Sequence, residues 1–80
     1  MKPVFLLIKC DLGQAYEVAD ALVQDVEEMS EIYSISGEFD LLAKCYLAPD
    51  QDIGRFVNQK IHTVPNIRDT QTLITFNAFT

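Results

Sequence analysis

An α+β fold in the order strand, helix, strand, strand, helix, strand follows from three observations along the 80 residues. Hydrophobic periodicity changes from alternate positions to every third or fourth position and back, twice. Gly13, Gly37 and Pro65 punctuate the breaks between these runs. There are no repeats, linkers or low-complexity segments, so the elements belong to one domain spanning residues 1–80.

The first run, KPVFLLIKC (Lys2 to Cys10), is β-branched and aromatic and is apolar on both faces, as expected of a strand covered on two sides. From Gln14 to Met29 the period becomes helical, with Ala15, Val18, Ala19, Leu22, Val26 and Met29 forming one stripe. Glu31 to Ser36 reads as a second strand, Gly37 begins a turn, and Asp40 to Leu47 alternates as a third strand. A second helix is predicted from a cap at Asp50 to the stop at Pro65, carrying Ile53, Phe56, Val57, Ile61 and Val64 on its apolar side. Arg68 to Phe79, rich in Thr and aromatics, is read as one long final strand.

This is the ferredoxin-like βαββαβ order: a four-stranded antiparallel sheet with two helices on one face. Right-handed crossovers place the first and third strands in the centre. Cys10 and Cys45 then fall near opposite ends of the sheet, too far apart for a disulfide, and read as buried free thiols.

Alternation leaves Phe5, Leu7, Leu42, Tyr46, Leu73 and Phe79 on the face without helices. For the second strand, periodicity leaves open whether Ile32 or the Tyr33/Ile35 pair points that way. Such a patch exceeds the ~300–600 Å² that a soluble monomer usually exposes, so a homodimer through the open sheet face is expected. A solvated open face is the alternative, since antiparallel sheets also tolerate water on one side.

Composition narrows the function. Twelve acidic against six basic residues, with no basic cluster, disfavour direct contact with nucleic acid. The longest apolar run is too short to span a bilayer, and the N-terminus lacks a signal-peptide pattern, which makes the cytoplasm the expected location. No nucleophile lies beside a base and no residues stand at metal-ligand spacing, so neither catalysis nor a cofactor is expected.

Polar groups do gather at one end of the predicted sheet: the turn Gly37, Glu38, Phe39 and Asp40, the Asp11 to Gly13 loop, and Thr70 and Thr72 at the start of the last strand. Carboxylates there suit an α-ammonium, and turn N–H groups or hydroxyls suit a carboxylate. Ordinary turn polarity explains the same residues. The turn and the last strand belong to opposite edges, ~14 Å apart at three strand spacings, so one small ligand reaches both only across a subunit contact.

Two stretches, EIYSISGEFDLLAKC and FVNQKIHTVPNIRDTQTLITF, resemble the effector-binding (RAM) domain of the Lrp/AsnC family of amino-acid-responsive transcription regulators. The resemblance covers nearly the whole chain and is most specific at Gly37-Glu38-Phe39-Asp40 and at Thr70-x-Thr72. It implies an amino-acid effector held between subunits, sheet-to-sheet dimers, and assembly into octamers or decamers. It also implies the ligand-binding set Gly37, Glu38, Phe39, Asp40, Thr70 and Thr72. Regulators of this family carry a helix-turn-helix domain; this sequence starts at the first strand, so it is expected to be a stand-alone effector domain, reaching DNA only through full-length Lrp/AsnC relatives.

Two other classes share the element order. A dimeric α+β barrel enzyme of the monooxygenase or isomerase type would aim a His or Asn into a pocket between sheet and helices. His62, the lone histidine, falls off the apolar stripe and is expected to be exposed and structural. A ring-forming subunit without a ligand is the third reading, suggested by the unprotected final edge strand.

Overall fold

Strand β1 (Lys2–Cys10) lies between β3 (Leu41–Leu47) and β4 (Ile67–Leu73), and β2 (Met29–Ser34) completes the sheet outside β3, in the computed structural model of residues 1–80. The order β2-β3-β1-β4 is antiparallel throughout, as the right-handed crossovers require. Helix α1 (Ala15–Asp25) joins β1 to β2, and α2 (Ile53–Phe56), continued by a π-helical turn over Val57–Ile61, joins β3 to β4.

Both helices cover the same face. Val4, Leu6, Ile8 and Cys10 of β1, with Leu41, Ala43, Cys45 and Leu47 of β3, meet Val18, Leu22, Val26, Phe56, Val57 and Ile61 in one buried core that contains no polar side chain. The alternation in the two central strands is therefore the core itself. Both cysteines are free and buried. Cys45 lies opposite Val4, so Cys10 is six positions further along β1, roughly 20 Å away at ~3.3 Å per residue. Burial, and then the charge of Glu28, push the Cys45 thiol up to about 11, which keeps it protonated and inert at neutral pH.

Element ends depart from the periodic reading in instructive ways. Helix α1 stops at Asp25, not Met29, because Val26 adopts extended backbone (φ −112°, ψ 102°) while its N–H still closes on the Leu22 carbonyl. Met29 opens β2 instead, and its side chain meets Cys45. The apolar stripe ran on because Val26 and Met29 face the same core from outside the helix. Within β2, Ile32 pairs with core-facing Ala43 and Tyr33 with Leu42, so Ile32 points to the helices and Tyr33 to the open face. The second helix is capped by Asp52, whose carboxylate accepts the Arg55 N–H at 2.9 Å, rather than by Asp50. One wide turn, closed by the His62 N–H on the Val57 carbonyl, lies at its end.

The largest correction concerns the last strand, which ends at Leu73 instead of Phe79. The Cys10 N–H and the Ile8 carbonyl address Asp40 on the β3 side, whereas the Asp11 N–H addresses Asn66 on the β4 side. By strand alternation the odd residues of β1 therefore serve β4. Phe5 pairs with Leu73, and the next such position is Pro3, which has no N–H to give. Beyond Leu73 the chain leaves the sheet. Phe79 is consequently 93% exposed and does not contribute to the open face, which carries Phe5, Leu7, Leu42, Tyr46, Leu73 and, of the two alternatives left open for β2, Tyr33. Lys44 crosses the middle of that face, its ammonium 5.0 Å from the Tyr46 ring centre and 3.8 Å from Glu31.

At the end of the sheet where β2 begins, Glu28 ties three elements together. Its Oε2 accepts from Lys60 at 2.8 Å and from Gln51 at 2.7 Å, and its carbonyl accepts the Tyr46 N–H. Burial alone would raise its pKa, but the hydrogen bonds from Lys60 and Gln51 and the Lys60 charge outweigh burial and leave it lowered. Because the folded value lies below the unfolded one, this stabilisation is complete above the unfolded pKa and is lost as pH falls through the folded value. The wild-type protein should lose stability as pH drops below about 4.5, more steeply than Glu28→Gln, in urea titrations at stepped pH. Equal slopes for the two proteins would count against this anchor.

Candidate ligand-binding end of the sheet

The opposite end collects the polar groups. Gly37 turns the chain between β2 and β3 with φ 109°, a conformation that a side chain would strain. The rest of the turn folds inward: the Asp40 N–H donates to the Ile8 carbonyl, its carbonyl accepts the Ile35 N–H, and its Oδ2 accepts the Cys10 N–H at 2.7 Å. Lys9 reaches over from β1 and donates to the Glu38 carbonyl at 3.1 Å. Burial first, then the charges of Asp40 and Asp11, raise the Cys10 pKa, so this thiol also stays protonated. Glu38 is exposed and Phe39 half-buried.

Across β1, the start of β4 presents a second polar group. Register places Lys9 opposite Asp69 and Cys10 opposite Ile67, which leaves Arg68 as the extra residue of a bulge. His62 Nε2 lies 2.7 Å from Thr70 Oγ1, and the Asp69 carboxylate accepts the Thr70 N–H at 2.9 Å. His62, Ile67, Arg68, Asp69 and Thr70 line an open depression of about 210 Å³. Thr70 and Thr72 pair with Ile8 and Leu6, so both face the helix side of the edge strand. Asn66, in left-handed backbone with φ 70°, turns the chain into β4, and its carbonyl accepts the Asp11 N–H.

The predicted residues thus form two groups. Gly37, Glu38, Phe39 and Asp40 stand on one side of the end of β1 and Thr70 on the other, opposite Ile8, while Thr72 lies further in, opposite Leu6 at the middle of β1. Since Asp40 bonds directly to Ile8 and Cys10, one strand separates it from β4, closer than the ~14 Å expected between sheet edges. His62 and Arg68 stand beside Thr70 in this depression, a neighbourhood the spacing does not foretell. His62 is exposed as expected, but its contact with Thr70 depends on the end of the second helix passing over β4, which helical spacing cannot reveal. Arg68 is aimed by a bulge with no sequence signature. Chemically, the arrangement offers a guanidinium and an imidazole for a carboxylate, and the Glu38 and Asp69 carboxylates for an ammonium. No group of His, Cys, Asp and Glu could hold a metal ion.

The family model described as the Lrp/AsnC ligand binding domain matches residues 3–80. The chain belongs to the Lrp/AsnC family. Among relatives of this Lrp/AsnC domain, the HTH-type transcriptional regulator FL11 of Pyrococcus abyssi is 33% identical over 70 residues, covering 88% of this chain and 45% of that protein. The chain therefore spans about half the length of the curated relatives it matches. The crystal structure of FFRP-DM1 superposes with a TM-score of 0.86 at 32% identity, covering 95% of this chain and all of that one. A Neisseria meningitidis transcriptional regulator, solved as a complex with L-Met, shares the fold with a TM-score of 0.84 at 18% identity, over 99% of this chain and 52% of that one. Membership makes this Lrp/AsnC domain a ligand-binding module of the kind found in transcription regulators, and the barrel-enzyme reading falls. No helix is long and apolar enough to cross a membrane.

Proposed function

We propose that this domain senses a free α-amino acid, held at the polar end of the sheet in a cavity that a neighbouring subunit completes. The carrying observation is the split site itself: two polar groups, one with Lys9 and Glu38 and the other with Arg68 and Asp69, flank the end of β1. The depression of about 210 Å³ is open and lined by only five residues, so one protomer leaves a side of a bound zwitterion facing solvent. A second subunit would supply the missing wall. The L-Met complex of the Neisseria regulator supports a ligand of this class.

The assembly in this proposal is a homodimer through Phe5, Leu7, Leu42, Tyr46 and Leu73, with dimers joined further into an octamer or decamer. Any output to transcription passes through mixed assembly with relatives that carry a DNA-binding domain. A thermal-shift screen of the common L-amino acids, each beside its D-enantiomer, tests the site. Ligand at 100 times its dissociation constant adds ~2.7 kcal/mol, or roughly 10–20 °C for a domain of this size. Absence of any enantiomer-selective rise would refute amino-acid sensing.

A further inference from the structure

We infer that the depression beside the start of β2 is a second binding site, for a small organic ammonium: a primary amine on a short apolar body, without a carboxylate. It lies at the end of the sheet away from the polar groups read above as an amino-acid site, and it does not depend on that reading.

The starting point is an unfilled acceptor. Glu28 is anchored through Oε2 alone, by Lys60 at 2.8 Å and by Gln51 at 2.7 Å. Its side chain is only 9% exposed, and the other oxygen, Oε1, is shut off from solvent and accepts no hydrogen bond. No other buried side-chain oxygen or nitrogen of the chain is left in that state. Folding strips water from such an atom and returns nothing. The penalty is greatest for a charged carboxylate, and this one stays charged although burial opposes it, because the Lys60 and Gln51 bonds hold its pKa down. Native structures tolerate few such atoms, and a donor arriving from solution accounts for this one.

The surroundings define that donor. Glu28 lines the largest depression of the molecule, about 460 Å³. Glu27 is exposed on the same wall, and no Lys, Arg or His is among the lining residues. Lys60 balances Glu28 and leaves Glu27 without an ion pair. The depression is thus short of one positive charge and one hydrogen-bond donor, and an ammonium brings both. A metal ion does not suit it, since no three ligating side chains converge there.

The rest of the wall fixes the body of the ligand. Met1, Met29, Tyr46 and Ala48 form its apolar side, where thioethers adapt to an alkyl or aryl group. Reaching Oε1 requires a side chain of the wall to give way, and the unbranched methionines do so at little cost. A carboxylate finds little here: Gln51 spends its amide N–H on Glu28 and its amide oxygen on the Ala48 N–H at 3.1 Å, and two acids face the space. Tyr46 also belongs to the open sheet face, so the depression opens at the rim of the dimer contact proposed above.

The test uses n-pentylamine and L-norleucine, which differ only by the α-carboxylate, with 1-pentanol as the uncharged control. Each is titrated into the full chain at neutral pH, and amide NMR shifts are followed at Glu28, Met29, Ser30 and Gln51, with Asp40 and Thr70 marking the far end. Pentylamine should shift the first four saturably, with norleucine and pentanol about 10-fold weaker there. Glu28→Gln and Glu27→Gln should each weaken pentylamine about 5-fold, and the second leaves the Lys60 and Gln51 bonds in place, so its loss is not one of folding. No saturable shift at these four amides up to ~20 mM overturns the site. So does a pentylamine response confined to Asp40 and Thr70, equal binding of norleucine or pentanol, or undiminished binding in Glu27→Gln.

Discussion

Leu6→Ala is expected to destabilise the domain by about 2–5 kcal/mol, which is a large share of the ~5–15 kcal/mol of a typical domain. Leu6 is fully buried on the central strand, with β3 on one side and β4 on the other. Truncation there leaves a cavity that neighbours cannot close, because the sheet below and both helices above are fixed by their own pairing. Small domains lie at the low end of the stability range, so the variant should be partly unfolded at 37 °C. Leu73→Ala, at a position 36% exposed on the edge strand, is the control and should change stability by about 1 kcal/mol or less in the protomer. Urea melts that place the two variants within 1 kcal/mol of one another would contradict the assigned core.

Asp40→Ala should cost about 1.5–3 kcal/mol in the absence of any ligand. Its carboxylate accepts the Cys10 N–H at 2.7 Å, a charge-assisted bond to a partly buried donor that alanine cannot replace. Asp40→Asn retains an acceptor in the same place and should recover more than half of the loss. This changes how the acidic turn is to be probed for ligand binding. Any weakened response in Asp40→Ala mixes a lost ligand contact with a loosened turn. Glu38→Gln, at an exposed side chain with no fold contact of its own, isolates the ligand contribution. If Asp40→Ala melts at the wild-type temperature, the carboxylate does not pin the turn, and its conformation here is not the one that governs stability.

The open face and the polar end differ in how legible they were. Phe5, Leu7, Leu42 and Tyr46 follow from alternation alone, since each sits in a strand whose neighbours are buried core residues. Phe79 was misassigned by the same rule, because alternation identifies a face only while pairing continues. The pairing ends at Leu73 on account of Pro3, 70 positions earlier in the chain. The acidic turn was legible through Gly37, which has the positive φ that glycine readily adopts. Asp40 read equally well as a ligand group or as turn polarity; its bond to Cys10 shows a structural task that spacing could not separate from either.

His62 and Arg68 mark the boundary more sharply. Neither has a local pattern that distinguishes it from surface polarity. One becomes a neighbour of Thr70 because the second helix ends above the edge strand, and the other is turned by a bulge.

The sequence by itself determined the element order, the sheet topology, the central core and the family likeness, since these rest on periodicities that persist over many residues and on the fixed hand of crossovers. Only the tertiary structure decided where the strands stop, which side of β2 meets the helices, what Asp40 holds and which side chains stand beside Thr70. Those outcomes depend on single hydrogen bonds between distant residues, and a periodic pattern has no record of who lies across the sheet.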